Sequence, residues 1–282
     1  MRIRVLGAAA GGGFPQWNCG CANCRKARAG SPDVTPLTQE CVAVSTDGDS
    51  WFLLNASPEI RSQIEAFAPL HPRAPRHSPI AGIALTNGDL DHTLGLLSLR
   101  ESHPLTVYAT DAVRRGFTEG NALYRTLERF PGQVTWKSFG GFLEAIPAPG
   151  KRPVHLEKSG KAEDGDNIGL LIDGKLAYFP AAGAVTPPMI EAINRAECLF
   201  FDGTFWSNDE LIAAGLGTKR AEDMAHLPVV RSLEALSHFK GRKILIHINN
   251  TNPLLDRTSP ERRQAEAAGW EIARDGMDFS LE

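Results

Sequence analysis

The chain of 282 residues has little net charge, few cysteines and no apolar run of membrane length. Its formal charge of −3 at pH 7 gives no long-range basic field, which argues against a nucleic-acid partner. No stretch approaches the roughly 20 apolar residues that a helix needs to span a bilayer, so no membrane role is expected. The start, MRIRVLGAAAGGG, lacks a secretory signal pattern, because its apolar segment is short and breaks into glycine. A cytoplasmic location is the expectation. The five cysteines are too few and too uneven for a disulfide framework. Cys19, Cys21 and Cys24 crowd together, while Cys41 and Cys198 lie far apart in apolar runs. There is also no repeat, low-complexity tract or polar linker, so a single domain over residues 1–282 is expected.

What is present is a globular composition, 42% hydrophobic and 22% charged, which can build a sizeable core. RIRVLG reads as a strand entering a glycine-rich turn, and ECVAVSTDGDSWFLLNAS as two strands joined at TDGDS. SPEIRSQIEAF reads as a helix with Ser57 at its N-cap and Pro58 in its first turn. A strand, AGIALT, and a helix, HTLGLLSLRE, follow. LTVYAT then leads into a longer helical stretch, DAVRRGFTEGNALYRTLERF, which Asp111 can cap. NIGLLIDGKLAYFPA is a hairpin turning at Asp173-Gly174. TPPMIEAINRA, CLFFDGT, LPVVRSLEALSHF and KILIHINN alternate helix and strand, as do PERRQAEAAG and WEIARDGM. Hairpins followed by alternating units predict an α+β fold, sheets packed together with helices outside. APLHPRAPRHSP and AIPAPGKRPV read as surface loops.

Chemistry concentrates in two places. NCGCANC can point the thiolates of Cys19, Cys21 and Cys24 at one centre, and soft thiolates suit zinc. The alternative is a set of free or redox-active thiols. A fourth zinc ligand stays open between Cys41, Cys198, a distant histidine and a polar residue of HINNTNP. Such a closed site would be structural and would pin the loop over residues 8–16.

TNGDLDH is the second place. A strand–loop–helix puts Asn87, Asp89, Asp91 and His92 at the carboxyl end of a strand, where functional side chains gather. The plainer reading is that Asp89 or Asp91 caps the helix. Asp202 in LFFDGTF and His247 in KILIHINN also end apolar runs, and His226 in MAHLPVV precedes a helix. Any one of these could be a satisfied core residue. As a set at strand ends they point to a site. His71, His77, His103, His155 and His238 read as surface residues.

These positions resemble the metallo-β-lactamase superfamily, whose signature His-x-His-x-Asp-His follows a strand and whose fold is a four-layer αββα sandwich. More narrowly, GAAAGGGFPQWNCGCANC, LLNASPEIR, LTNGDLDHTLGLL, LFFDGT and HINNTNP together resemble the pyrroloquinoline quinone (PQQ) biosynthesis protein B family. Against the superfamily signature, Asn87 and Asp89 replace two histidines, while Asp91 and His92 match its last pair. His247 matches the last histidine ligand. LAYFPAAG falls where hydrolases carry a metal-bridging Asp, and only Pro180, Ala181 and Ala182 stand there. Ordinary two-zinc hydrolysis is therefore unexpected.

Asp91, His92 and His247 have the composition of a non-haem iron(II) facial triad. Asp89 and Asp202 compete for a further oxygen ligand or a place behind a ligand histidine. Asp89 is grouped with the metal ligands, and Asn87, Asp202 and His226 with the catalytic residues. The resemblance implies iron-dependent hydroxylation, by dioxygen, of the tyrosine ring of a glutamate–tyrosine intermediate, with other proteins of that pathway as partners. His226 is the candidate acid or base for the phenol proton. One alternative is a carrier of the quinone, using Arg61, Arg73, Arg76 and Arg100 for its carboxylates. Another is a residual zinc hydrolase.

Overall fold

Thirteen strands form two sheets in a computed structural model that describes residues 1–282, the side chain of Ser159 excepted. The first sheet contains β1 (Arg2–Gly7), β2 (Cys41–Ser45), β3 (Trp51–Leu54), β4 (Ile80–Ala84), β5 (Leu105–Tyr108), β6 (Val134–Lys137) and β13 (Asp278–Ser280). Its order is β13-β1-β2-β3-β4-β5-β6. The second contains β7 (Leu143–Pro147), β8 (Ile168–Ile172), β9 (Leu176–Phe179), β10 (Cys198–Asp202), β11 (Arg242–Ile246) and β12 (Trp270–Ile272), in the order β12-β11-β10-β9-β8-β7. Each sheet begins with antiparallel hairpins and continues in parallel strands.

The alternation of side chains explains the four layers. Val42 and Val44 of β2 pack with Leu170 and Phe200 of the opposite sheet. Their neighbours Cys41 and Ala43 instead join Ile60 and Leu96 of the outer helices. On the far side, Met189 and Ile193 of the helix Pro187–Arg195 and Leu233 of Val229–Ala235 cover the second sheet. Strands covered on both faces read as continuous apolar runs, as CLFFD does here. No helix among the described residues is long and apolar enough to cross a membrane.

Several local expectations need correction. The helix after TNGDLDH starts earlier, at Leu90, and runs as two short pieces, Leu90–Thr93 and Gly95–Ser98. Ser57 does not cap its helix; its hydroxyl donates to Gln63 Oε1 at 2.8 Å, and the cap position falls on Glu59. The longer helical stretch stops at Thr118 and resumes as a 3₁₀ turn from Ala122. Its cap is the hydroxyl of Thr110, which accepts from Val113 N, not Asp111. The hairpin at Asp173-Gly174 forms, with both residues at positive φ. AIPAPGKRPV is not all loop: Ala145, Ile146 and Pro147 end β7 and pair antiparallel with β8. Strands β6 and β13 carry no clear sequence signal; VTWK and DFS are short and largely exposed on alternate residues.

Candidate metal centre

The carboxyl ends of β4, β10 and β11 meet at one rim. β4 runs out through Thr86 into the loop carrying Asn87, Asp89, Asp91 and His92. Asp202 is the last residue of β10, and His247 follows the last residue of β11. The neighbouring segment fixes this loop: Ala56 N donates to His92 O at 2.7 Å and Gly95 N to Ala56 O at 3.0 Å. A side chain at Gly95 would place Cβ 2.3 Å from Ser57 O, so only glycine allows this approach. His247 holds a left-handed backbone, φ 59°. Such a conformation costs a non-glycine residue about 1–3 kcal/mol and persists where surrounding structure demands it.

The ligand atoms of Asp91, His92 and His247 lie within 4.8 Å of one another. His247 Nε2 is 3.1 Å from Asp91 Oδ2, and His92 Nε2 is 3.8 Å from the same oxygen. Two threonines set the tautomers. Thr204 Oγ1 gives its only proton to Asp202 Oδ1 at 2.6 Å, so at 2.8 Å it can only accept from His247 Nδ1–H. The side-chain oxygen of Asn55 is fixed by the backbone N–H of Thr86 at 2.9 Å. Thr86 Oγ1 donates to that oxygen at 3.1 Å and accepts from His92 Nδ1 at 3.3 Å. Both imidazoles therefore turn Nε2 toward Asp91. That of His92 is buried without a hydrogen-bond partner.

Charge fits the same arrangement. Burial pushes His92 down to about 4, leaving it neutral at pH 7. Burial would also lower His247, but the hydrogen bond and charge of Asp91, helped by Asp202 and Glu40, raise it to about 9. Burial alone would raise Asp91, yet His92 and His247 bring it well below the usual carboxylate range. A proton on His247 Nε2 thus bridges to Asp91 at the place where a cation would be shared. An orphaned buried imidazole nitrogen, a second imidazole and a carboxylate at this spacing fit one divalent transition metal.

The remaining acids and amides are placed differently. Asp202 accepts four hydrogen bonds, from Thr204 N, Thr204 Oγ1, Ala182 N and His226 Nδ1, at 2.6–2.9 Å. Burial opposes its charge, but His226 foremost holds it below the ordinary range. The ligand atoms of Asp202, His226 and His247 also lie within 4.8 Å of one another, and here the Asp202 oxygens orient the two rings, His226 directly and His247 through Thr204. Asn87 donates to Asn167 Oδ1 at 3.1 Å and accepts from Asp89 N at 3.0 Å. Asp89 borders the same cavity but stands outside the converging ligand set. Ala181 lines the cavity where a bridging acid was sought. The cavity measures about 500 Å³ and takes its walls from Asn87, Asp89, Lys151, Phe205, Met224 and His226, among others. None of Arg61, Arg73, Arg76 and Arg100 is among its lining residues. Arg73 is instead paired with Asp49.

The thiols of Cys19, Cys21 and Cys24 form a second group within 4.8 Å. Cys21 caps the helix Ala22–Arg28, its sulfur accepting from Cys24 N at 3.5 Å. Burial pushes Cys21 up to about 11. Of the alternatives for a fourth ligand, HINNTNP is the segment beside the thiols: the side-chain amide of Asn250 lies 3.4 Å from Cys24 Sγ and 3.7 Å from Cys21 Sγ. Cys41 and Cys198 are buried elsewhere, and all five cysteines are free.

The beta-lactamase superfamily domain model matches residues 50–248. Coenzyme PQQ synthesis protein B of Azotobacter vinelandii is 46% identical over the whole of both chains. The chain belongs to the coenzyme PQQ synthesis protein B family. The member from Pseudomonas putida strain W619 is 43% identical over the same full span. Among solved structures, the Zn(2+)-bound family member PqqB of Methylobacterium extorquens superposes with a TM-score of 0.93 at 40% identity, covering both chains fully. A diphosphatase of the PhnP family, at 20% identity and a TM-score of 0.69 over 100% and 98% of the two chains, shares the fold alone. So does the short form of human tRNase Z, at 13% and 0.59 over all of both chains.

The residues behind the candidate metal ligands carry no motif of their own in the sequence of this family member. Glu40, wholly buried, accepts from Asn55 Nδ2 at 2.8 Å and from the hydroxyl of Tyr178, and lies 3.7 Å from His92 Nε2. Burial raises it to about 8. An acid inside the apolar run TQECVAV was the available signal. Thr86 and Thr204 look like ordinary strand-end residues until their partners are known. His155, read as a surface residue, is exposed and yet borders the cavity.

Proposed function

We propose that the chain is a mononuclear iron(II) oxygenase of PQQ biosynthesis that hydroxylates the tyrosine ring of a glutamate–tyrosine intermediate. The carrying observation is the set Asp91, His92 and His247, one carboxylate and two imidazoles facing an open cavity. The family names support the pathway. Asn87 and Asp89 in place of the signature's two histidines, and Ala181 where a bridging acid would stand, support one metal over two. Asp91, His92 and His247 would hold the iron(II), which would supply the activation of dioxygen.

The protein's own groups do the rest. Asp202 accepts from His226 Nδ1–H, so in the neutral ring Nε2 is the atom that takes the phenol proton. Thr86 and Thr204 keep both ligand imidazoles in the Nε2-binding tautomer. Phe205 and Met224 give the cavity an apolar wall suited to an aromatic ring. Atom balance requires one oxygen of O₂ on the ring and the other in water, with two electrons from an added reductant such as ascorbate. The test is to load metal-free protein with iron(II) under nitrogen, add glutamyl-tyrosine and ascorbate, admit air and record product mass. Gain of one oxygen with iron and none with zinc is expected. Equal product with zinc would overturn the oxygenase reading.

A further inference from the structure

Asp89 has an unusual status among the cavity residues. Its carboxylate lines the cavity half-buried and receives no hydrogen bond from any described residue, while its backbone N–H donates to Asn87 Oδ1. Lys151 is the one lysine or arginine among the lining residues, and its ammonium makes one ion-pair contact, with Glu157 at 4.0 Å.

The two residues come from loops pressed tightly together. Gly150 packs on Asn167 so closely that a Cβ would fall 2.3 Å from that residue's Cβ, and a Cβ on Gly88 would fall 2.7 Å from Pro153 Cγ. Asn167 donates to Ala148 O at 3.3 Å and Ala181 O at 3.0 Å while accepting from Asn87 Nδ2 at 3.1 Å. Asn87, at a position where the superfamily signature has a ligand histidine, thus latches the loop bearing Lys151 over the loop bearing Asp89.

We propose that Asp89 and Lys151 are a substrate clamp, Asp89 receiving an ammonium and Lys151 a carboxylate of the amino-acid-derived substrate. This rests on the substrate class given above and assigns its charged groups to particular residues. The Asp89 carboxylate has acceptor positions open to the cavity and no donor of the protein fills them. A cationic ligand group can fill them with charge-assisted hydrogen bonds, and Lys151 on the cavity wall supplies the matching anion contact. The clamp holds both charged ends of a zwitterion and leaves the phenol ring free to lie along Phe205 and Met224 toward His226.

The test uses full-length protein loaded with zinc, which binds without turnover, and calorimetric titration with glutamyl-tyrosine. N-acetylation of the dipeptide should weaken wild-type binding about tenfold or more, the size of a hydrogen bond to a charged group. The same acetylation should change Asp89→Asn less than twofold. Neutralising one of the two carboxylates should weaken wild type similarly and leave Lys151→Met unaffected. Metal analysis should find the zinc content of both variants equal to wild type. Acetylated and free dipeptide binding wild type alike would overturn the clamp without recourse to any variant. Loss of the active-site zinc from Asp89→Asn would overturn it too, making Asp89 a metal ligand. Wild type that binds no form of the dipeptide would refute the substrate class and the clamp together; dipeptide binding that ignores its charges would refute the clamp alone.

Discussion

Replacing Thr204 by valine keeps the shape of the side chain and removes one hydroxyl. That hydroxyl joins Asp202 Oδ1 at 2.6 Å to His247 Nδ1 at 2.8 Å. Asp202 keeps three donors, including Thr204 N. His247 Nδ1–H is left buried without an acceptor, at a cost of about 1–3 kcal/mol. In the metal-free protein the imidazolium can shed much of this by releasing its Nδ1 proton or turning. With metal on Nε2 it cannot, since Nδ1 must then carry the proton. Most of the cost therefore appears as lost metal affinity, in keeping with the roughly 10–100-fold effect of removing a partner behind a ligand. Competition between protein and a chromophoric chelator for zinc measures it, with Thr204→Ser as the variant that keeps the hydroxyl. Valine affinity within twofold of wild type would show that Thr204 does not govern His247, and the tautomer argument would fail.

Metal binding at the active site should release about one proton at pH 7, because His247 is held protonated to about 9. The release should fade above pH 9, and calorimetry in buffers of different ionisation enthalpy reads it. By the same raised value, His247 stabilises the metal-free fold fully below its unfolded value near 6.5, and loses that contribution as pH rises through about 9. Denaturation of metal-free protein should show that fall; a flat profile would contradict it. Asp91→Ala and His92→Ala should lose the active-site metal while zinc stays at Cys19, Cys21 and Cys24, as metal analysis by mass spectrometry would show. His226→Gln should slow turnover about 100-fold or more, within the usual range for a general acid–base group, with iron content unchanged. Loss of iron from that variant would instead place His226 on the metal.

The parts of the site that were legible in the sequence are those where local pattern and chemistry coincide. Asp91, His92, Asp202 and His247 are polar residues at the mouths of apolar strands, and such positions are read directly from hydropathy. Glu40, Tyr178 and Asn55 form one buried network from three distant segments, and nothing short of the fold brings them together. The role of Asn87 was hidden for the same reason, since its partner Asn167 lies 80 residues away. The sheet edges were hard because β6 alternates with exposed residues and so carries little hydrophobic signal. The helix expected through residues 111–130 failed at Glu119-Gly120, where the chain leaves helical geometry and Gly120 takes positive φ.

A single turnover under ¹⁸O₂ tests the central claim most directly. Iron(II)-loaded protein, glutamyl-tyrosine and ascorbate are mixed without oxygen, the labelled gas is admitted, and the product is weighed by mass spectrometry. The account predicts one ¹⁸O atom on the tyrosine ring, lost in Asp91→Ala. Product bearing oxygen only from water, or none while the finished quinone binds tightly without metal, would contradict it.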